Sequence, residues 1–280
     1  MQKALWILIA DILLFSALFT WLPFTKEANL GICILAFVGI LWVSEAVHTT
    51  ITALIVPLLA VIFDLQDVTT ALKPFANPVI FLFFGGFALA SALHIQGLDK
   101  LLANRLILLA KGRMSVAILM LFGVSTLLSM WISNTATAAI MLPLALGILS
   151  NLDITKNRGT FLFVLLGVAY SSEIGGFGTM VGSPPNIIAA SYLGINFLEW
   201  MKLGIPFMCI MLPCMIGILY LLLKPDLNQT FHLALEKTEW DFKKILTLII
   251  FGLTATAWIL SAKLSEYFGG IKDLDSIIAL

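Results

Sequence analysis

Long apolar runs separated by short polar breaks constrain this chain more than any other feature of its sequence. A transmembrane helix needs about 20 predominantly apolar residues. Runs of about this length lie near residues 4–24, 28–46, 47–63, 77–95, 204–223 and 245–262. Of the 280 residues, 60% are hydrophobic and 11% are charged, whereas about 25% are charged in soluble domains. The sequence therefore predicts an all-α polytopic membrane protein.

The distribution of basic residues predicts the orientation of these runs. With a cytoplasmic N-terminus and one crossing per run, eleven of the 16 Lys and Arg residues fall on the cytoplasmic side. This bias agrees with the positive-inside rule, so we predict a multi-pass protein of the plasma (inner) membrane with its N-terminus in the cytoplasm. Residues 97–113 carry apolar residues at helical spacing with basic residues between them, which predicts a cytoplasmic surface helix. Residues 224–244 are polar and predict a cytoplasmic linker.

The block at residues 115–149 has polar side chains in the middle of an apolar stretch. These are Ser129, Ser133, Asn134, Thr135 and Thr137. Basic clusters flank the block on both sides, so both of its ends are predicted to lie in the cytoplasm. Each arm is only about 14–17 residues long, which is short for a full crossing. The block therefore predicts a re-entrant helical hairpin with the polar residues at its tip, and two short full spans are the alternative.

A second irregular block, at residues 160–195, is broken at its centre by glycine and proline. Residues 175–186 contain four glycines and two prolines in twelve positions. This composition disfavours a continuous helix. Unpaired backbone within lipid is too costly unless it is buried in protein or lines a wet cavity. The block predicts a helix to about Ser172, an unwound loop, and a second helix from about Asn186.

Two interrupted elements that meet at mid-depth are typical of the binding sites of secondary transporters. Helix N-termini and free backbone N–H groups attract anions, whereas hydroxyl and carbonyl oxygens suit a small hard cation such as Na+. Because the predicted site has no fixed positive charge, a co-bound cation would help to hold an anion. Taken separately, the polar patch could be a helix–helix hydrogen-bonding motif, and the Gly/Pro loop could be a structural kink or a pore turn.

The two motifs together resemble the divalent anion/sodium symporter (DASS) family of dicarboxylate, citrate and sulfate carriers. The resemblance rests on Ser133-Asn134-Thr135-Ala136-Thr137 and on Gly175-Gly176-x-x-Thr179-x-x-Gly182-Ser183-Pro184-Pro185-Asn186. It implies an elevator-type transporter that forms a homodimer through scaffold spans and has two such tips related by an inverted repeat. This chain carries one tip, so it looks like a fragment or truncated product in which the second repeat is mostly missing.

The resemblance also implies a domain organisation. Residues 1–75 would supply scaffold spans, and residues 76–195 would form half of the transport domain, with a span, the surface helix, the hairpin and the broken helix. Residues 196–280 would contain a span, the linker, a further span and the start of the second repeat. The lipid bilayer, a small anionic substrate and Na+ are the implied partners.

Individual residues acquire roles by the same resemblance. The implied Na+ ligands are Ser129, Ser133, Asn134 and Gly182. The implied substrate-binding residues are Ser133, Asn134, Thr135, Ser183 and Pro184. Glu173 departs from the family pattern, in which small or neutral residues precede the paired glycines. An ionisable residue within a membrane segment is a functional hypothesis by default, so we predict proton or cation coupling by Glu173, with the plain end of a helix at a wet cavity as the alternative.

These features predict secondary active transport of di- or tricarboxylate anions such as succinate, malate, fumarate or citrate, with Na+ as the co-transported ion. A sulfate or other divalent-anion carrier and a dicarboxylate exchanger are alternatives. An ion channel with the hairpin as its pore loop is the alternative from another class. No paired base or set of metal ligands points to an enzyme. The formal net charge of zero gives no sign of nucleic-acid binding.

Overall fold

A computed structural model describes residues 2–230 and 240–280. Within these ranges the chain forms helices and contains no β-strand, which confirms the predicted all-α class. The middle of the predicted linker at residues 224–244 lies outside the described residues. The chain divides into two compact units, Met1–Asn77 and Pro78–Leu280.

The first unit contains four helices and a short 3₁₀ turn, Lys73–Ala76. The helices are α1 (Gln2–Trp21), α2 (Lys26–Ser44), α3 (Thr49–Ile62) and α4 (Val68–Leu72). Asn29 ties the first two together, because its Nδ2 donates to the carbonyl oxygen of Leu22 over 2.9 Å. Thr25 begins α2 by accepting a hydrogen bond from the backbone N–H of Ala28.

Helix α3 is shorter than the span predicted over residues 47–63. It has 14 residues, which makes it about 21 Å long, less than the thickness of about 30 Å of a hydrocarbon core. Its start is set by His48, whose side chain accepts from the N–H of Thr50. Beyond its end, Asp64 takes a left-handed conformation with φ 57°, so the helix does not continue into the polar break.

The second unit contains ten helices within the described ranges. They are α5 (Val79–Ile95), α6 (Leu98–Leu108), α7 (Met114–Ser129), α8 (Asn134–Leu149), α9 (Arg158–Gly176), α10 (Pro184–Leu193), α11 (Phe197–Leu223), α12 (Phe242–Ile259), α13 (Ser261–Tyr267) and α14 (Leu274–Ile278).

Among the described residues, six segments are long and apolar enough to cross a membrane. They are Lys3–Trp21, Lys26–Ser44, Val68–Ile95, Arg158–Gly176, Phe197–Leu223 and Phe242–Ile259. This result agrees with the predicted multi-pass membrane protein.

Helices α7, α8 and α9 form the main buried core of the second unit. Phe122 on α7 and Phe163 on α9 are fully buried, and their ring centroids lie 5.5 Å apart. Gly167 on α9 lies directly against the Phe122 ring, so that a Cβ at this position would overlap the ring. The missing side chain therefore allows α7 and α9 to approach closely.

The predicted hairpin is a pair of 16-residue helices, α7 and α8, joined by a short turn. Each helix is about 24 Å long, so each is shorter than the hydrocarbon core of a bilayer. The outer ends of the pair, Met114 and Leu149, lie within one residue of the ends predicted for the block at residues 115–149. The re-entrant placement of this helical pair in a membrane stays a prediction.

The helix predicted over residues 97–113 is α6, which ends earlier, at Leu108, and a turn at Gly97 separates it from α5. Its placement at the membrane surface stays a prediction. Leu98 and Leu101 are buried, whereas Lys100 and Arg105 are exposed. His94 Nδ1 lies 2.7 Å from the buried Asp99 Oδ2 and links the two helices. The sequence does not predict this His–Asp contact, because only the turn at Gly97 brings the two side chains together.

The broken helix has other boundaries than predicted. Helix α9 continues to Gly176 rather than ending near Ser172, and α10 begins at Pro184 rather than at Asn186. Gly175 lies within α9 and packs closely against α7, since a Cβ there would overlap the Thr126 backbone. Pro184 suits the first turn of α10, where its fixed φ is compatible with a helix and its missing N–H is not needed. The unwound loop is therefore confined to residues 177–183.

Candidate functional site

The polar residues predicted at the hairpin tip form the N-terminus of α8. Ser133 is the N-cap, and its Oγ accepts from the N–H of Ala136 over 3.4 Å. Asn134 and Thr135 are the first two residues of the helix. The first N–H groups of a helix have no acceptor within the helix and lie at the positive end of its dipole. Because Ser133 and Thr135 are exposed, this end of α8 can bind an anion.

The loop at residues 177–183 is attached to the same turn. Thr179 is buried, and its hydroxyl donates to the carbonyl oxygen of Met130 and accepts from the N–H of Gly182. The buried Asn186 donates from Nδ2 to two carbonyl oxygens, those of Gly176 at 2.7 Å and Thr179 at 2.8 Å. The unwound backbone is thus hydrogen-bonded within the protein, as a membrane environment requires.

Thr179 and Asn186 belong to the motif that carried the family resemblance, but no site role followed for them from the sequence. The Thr179 side chain ties the loop to Met130 in the turn between α7 and α8. The Asn186 side chain ties the start of α10 to the end of α9 and to the loop. A threonine and an asparagine beside a Gly/Pro break were the available signal, since such side chains commonly satisfy irregular backbone.

Three side chains form a continuous hydrogen-bonded chain across the tip. Ser129 Oγ, at the end of α7, donates to Asn134 Oδ1 over 2.7 Å. Asn134 Nδ2 donates to Glu173 Oε2 on α9 over 2.9 Å. Ser129 is fully buried, Asn134 is half-buried and Glu173 is exposed. This series of hydrogen bonds therefore runs from the interior of the unit to its surface.

Two glycines make room for this arrangement. A Cβ on Gly176 would lie 2.6 Å from Asn134 Oδ1 and 3.0 Å from Nδ2. A Cβ on Gly182 would lie 2.9 Å from the carbonyl oxygen of Ser129. Oxygen atoms from the C-terminal end of α7, from Asn134 and from the Gly176 carbonyl at the end of α9 therefore lie close to these two glycines. Carbonyl groups at a helix C-terminus carry partial negative charge, which favours a cation.

The structure brings together most, but not all, of the residues predicted for the site. Ser129, Asn134 and Gly182 are neighbours, and Ser133 precedes Asn134 as the N-cap of α8. Ser183 is the N-cap of α10, and Pro184 follows it at the first helical position. Within the described residues, no hydrogen bond joins Ser183 or Pro184 to residues 133–135. Because Pro184 and Pro185 lack an N–H, the start of α10 offers few backbone donors to an anion.

The atoms in this region that could bind a cation are uncharged oxygens, apart from the Glu173 carboxylate. In the described part of the chain, no cluster of three or more His, Cys, Asp or Glu side chains could hold a metal ion. Hydroxyl, amide and carbonyl oxygens suit hard cations rather than transition metals.

Comparison with known proteins identifies the family of this chain. A profile of the citrate transporter family (CitMHS) matches residues 39–271. The chain belongs to this family. Among the relatives of this citrate transporter family member, a protein of Haemophilus influenzae named "Uncharacterized transporter" is 54% identical over 98% of the chain and 61% of its own length.

Two further relatives have more specific names. The "Sodium-dependent dicarboxylate transporter SdcS" of Staphylococcus saprophyticus is 30% identical over 82% of the chain and 49% of its own length. The "Inorganic phosphate transporter PHO87" of Saccharomyces cerevisiae is 30% identical over 84% of the chain and 27% of its own length. The chain thus spans about three fifths or less of the length of these curated relatives.

The predicted relationship to sodium-coupled dicarboxylate carriers is confirmed at the level of the family, since the relatives include sodium-dependent dicarboxylate transporters. The family and these relatives are transporters and not enzymes. Six apolar segments of spanning length and membership of a transporter family together identify a multi-pass membrane protein.

Proposed function

We propose that this protein is a secondary active transporter that carries di- or tricarboxylate anions together with Na+. One observation carries the proposal. The Ser129 hydroxyl and the Asn134 amide oxygen lie 2.7 Å apart, beside the Gly182 loop and directly at the N-terminus of α8. A cation held by these oxygens would lie next to a helix end that attracts an anion, and each ion would then favour binding of the other.

The proposed cation ligands are Ser129, Ser133, Asn134 and Gly182. Ser129 and Asn134 offer side-chain oxygens, and a Cβ on Gly182 would crowd the Ser129 carbonyl. Only a glycine therefore allows the loop to approach this closely. We propose Na+ as the bound cation because the ligand atoms are uncharged oxygens and because the Staphylococcus relative is named as sodium-dependent.

The proposed anion-binding residues are Ser133, Asn134 and Thr135 at the α8 N-terminus, with Ser183 and Pro184 at the end of the loop. The exposed hydroxyls of Ser133 and Thr135 can donate to a carboxylate that also accepts from the first N–H groups of α8. Citrate and C4-dicarboxylates are the favoured substrates, because the family is one of citrate transporters and a relative is named for dicarboxylates.

The transport cycle proposed for this site is an elevator motion. The compact α7–α8–α9 core would move as one body with the tip and the loop, while residues 1–75 would form the scaffold and the homodimer contact. The α7–α8 pair would be re-entrant from the cytoplasmic side of the plasma (inner) membrane, with the N-terminus also in the cytoplasm. Helices of about 24 Å support this placement.

Inorganic phosphate transport is the second candidate function. It is favoured by the similarity to the yeast phosphate transporter over most of the chain. Phosphate also binds helix N-termini, so the α8 N-terminus alone does not separate the two substrate classes. Sulfate transport and dicarboxylate exchange are further alternatives.

Uptake into proteoliposomes tests the proposed function. The protein would be reconstituted, and entry of radiolabelled citrate and succinate would be measured with an inward Na+ gradient and with choline instead. We expect Na+-stimulated uptake that unlabelled C4-dicarboxylates inhibit and that phosphate and sulfate do not. Uptake without Na+ dependence would contradict symport, and competition by phosphate or sulfate alone would contradict the substrate class.

Variants link this activity to the site. Ser133→Ala combined with Asn134→Ala should abolish the Na+-stimulated component, because it removes a proposed ligand of each ion. Thr254→Val is the control, since the Thr254 hydroxyl makes an exposed hydrogen bond to Ile250 O, its one side-chain partner among the described residues. Full activity of the double variant would remove the assigned site.

A further inference from the structure

Glu173 on α9 contacts Asn134 at the tip of the α7–α8 pair. The inference drawn from this contact rests on the proposed function. Glu173 is the only charged side chain in residues 114–149 and 170–193, which include both helices of the tip, the loop and α10. Its carboxylate accepts from Asn134 Nδ2 over 2.9 Å, although the two residues are 39 positions apart in the sequence.

The contact determines which end of the Asn134 amide faces Ser129. A carboxylate can only accept hydrogen bonds, so it selects the NH2 end of the amide. The amide oxygen is then turned to the opposite side, where it accepts from Ser129 Oγ at 2.7 Å. This orientation presents two oxygen atoms to a cation. The reversed amide would instead present an NH2 group, which cannot bind a cation.

The negative charge of Glu173 also affects binding of the substrate anion. Glu173 lies beside the N-terminus of α8, where the proposed substrate carboxylate would bind. A carboxylate there repels an anion until a cation offsets its charge. The same group therefore attracts the cation and disfavours the anion in its absence.

We propose that Glu173 is a positioning residue that fixes Asn134 Oδ1 toward the transported cation and makes anion binding depend on that cation. The role is specific to the ion site and does not require Glu173 to maintain the fold. Glu173 is exposed, and its one side-chain hydrogen bond among the described residues is the contact with Asn134.

Equilibrium binding of 22Na+ to the purified protein tests this inference without requiring transport. We compare wild type with Glu173→Gln, which keeps the size of the side chain, removes its charge and can present either a donor or an acceptor to Asn134. We expect Na+ affinity to fall about tenfold or more in Glu173→Gln. The number of sites at saturation and the melting temperature should stay close to wild type.

Glu199→Gln is the matched control. Glu199 is at the third position of α11 and accepts from the N–H of Asn196 in a capping box, a role that Gln also fills. Its substitution should leave Na+ affinity unchanged. Wild-type Na+ affinity in Glu173→Gln would overturn the inference, as would an equal loss in both variants. Absence of saturable Na+ binding to wild type would instead contradict the proposed function.

Discussion

Gly176 on α9 lies so close to Asn134 on α8 that a Cβ on the glycine would stand 2.6 Å from the Asn134 amide oxygen. Real Cβ atoms do not approach an oxygen this closely, so Gly176→Ala must displace the amide. We expect this substitution to weaken Na+ binding at least tenfold, because Asn134 Oδ1 would leave its place beside Ser129. Binding of 22Na+ and Na+-stimulated uptake both measure the effect.

Gly123→Ala serves as the control for Gly176→Ala. Gly123 is also within a helix of the core, but a Cβ there would meet no atom within 4 Å. Replacing an unobstructed helical glycine with alanine stabilises a helix by roughly 0.5–1 kcal/mol. Na+ affinity should therefore be unchanged. If Gly176→Ala binds Na+ as wild type does, the packing of Asn134 against Gly176 does not matter for the ion.

Asn186→Ala should loosen the loop between α9 and α10. The buried side chain of Asn186 donates to two carbonyl oxygens, and both would lose a partner within the protein. A buried unsatisfied group costs about 1–3 kcal/mol, so we expect a lower melting temperature in detergent and weaker Na+ binding. Asn157→Ala, which removes one exposed hydrogen bond, should change neither quantity. Equal stability of the two variants would contradict the role of Asn186.

Thr179→Val tests whether the loop must be tied to the turn of the α7–α8 pair. Valine has nearly the same shape but cannot donate to Met130 O or accept from Gly182 N–H. We expect a loss of about 1–2 kcal/mol in stability and reduced Na+ affinity, since Gly182 would be less well held beside Ser129. Thr247→Val, which removes one exposed hydrogen bond within α12, is the control. A Thr179→Val protein with wild-type Na+ affinity would disprove the coupling of the loop to the site.

The packing of α7 on α9 gives a stability prediction that is independent of the ion. Gly167→Ala should destabilise the second unit, because its Cβ would overlap the buried Phe122 ring. Phe122→Leu in the same chain should recover part of the loss, as a smaller side chain leaves room for the added methyl group. Chemical denaturation in mild detergent measures both. Additive losses from the two substitutions would contradict direct packing between these residues.

The outer ends of the α7–α8 pair were predictable to within one residue for a physical reason. The Ser133 N-cap and the polar turn interrupt an apolar stretch whose ends are marked by basic residues. Local sequence therefore defines both helices. The ends of α9 and α10 were less predictable, because Gly175 and Gly176 serve close contacts with Thr126 and Asn134 rather than ending a helix. The sequence around residue 175 does not show which residue of another helix packs against it.

The hydrogen bonds of the site were beyond sequence reasoning for the same reason. The resemblance suggested Ser129, Asn134 and Gly182 as one group, and the structure places them as neighbours. The partner of Glu173 is 39 residues away, and only the packing of α9 against α8 identifies it. Whether these residues bind Na+ and a carboxylate stays a prediction.

The most direct test of a shared cation–anion site is the mutual dependence of the two ions. Calorimetric titration of citrate into the purified protein would be carried out in choline buffer and in saturating Na+ at equal ionic strength. If one site holds both ions side by side, Na+ should raise citrate affinity at least tenfold, and citrate should raise Na+ affinity by the same factor. Citrate affinity that is identical in the two buffers would contradict a shared cation–anion site at the tip of α7 and α8.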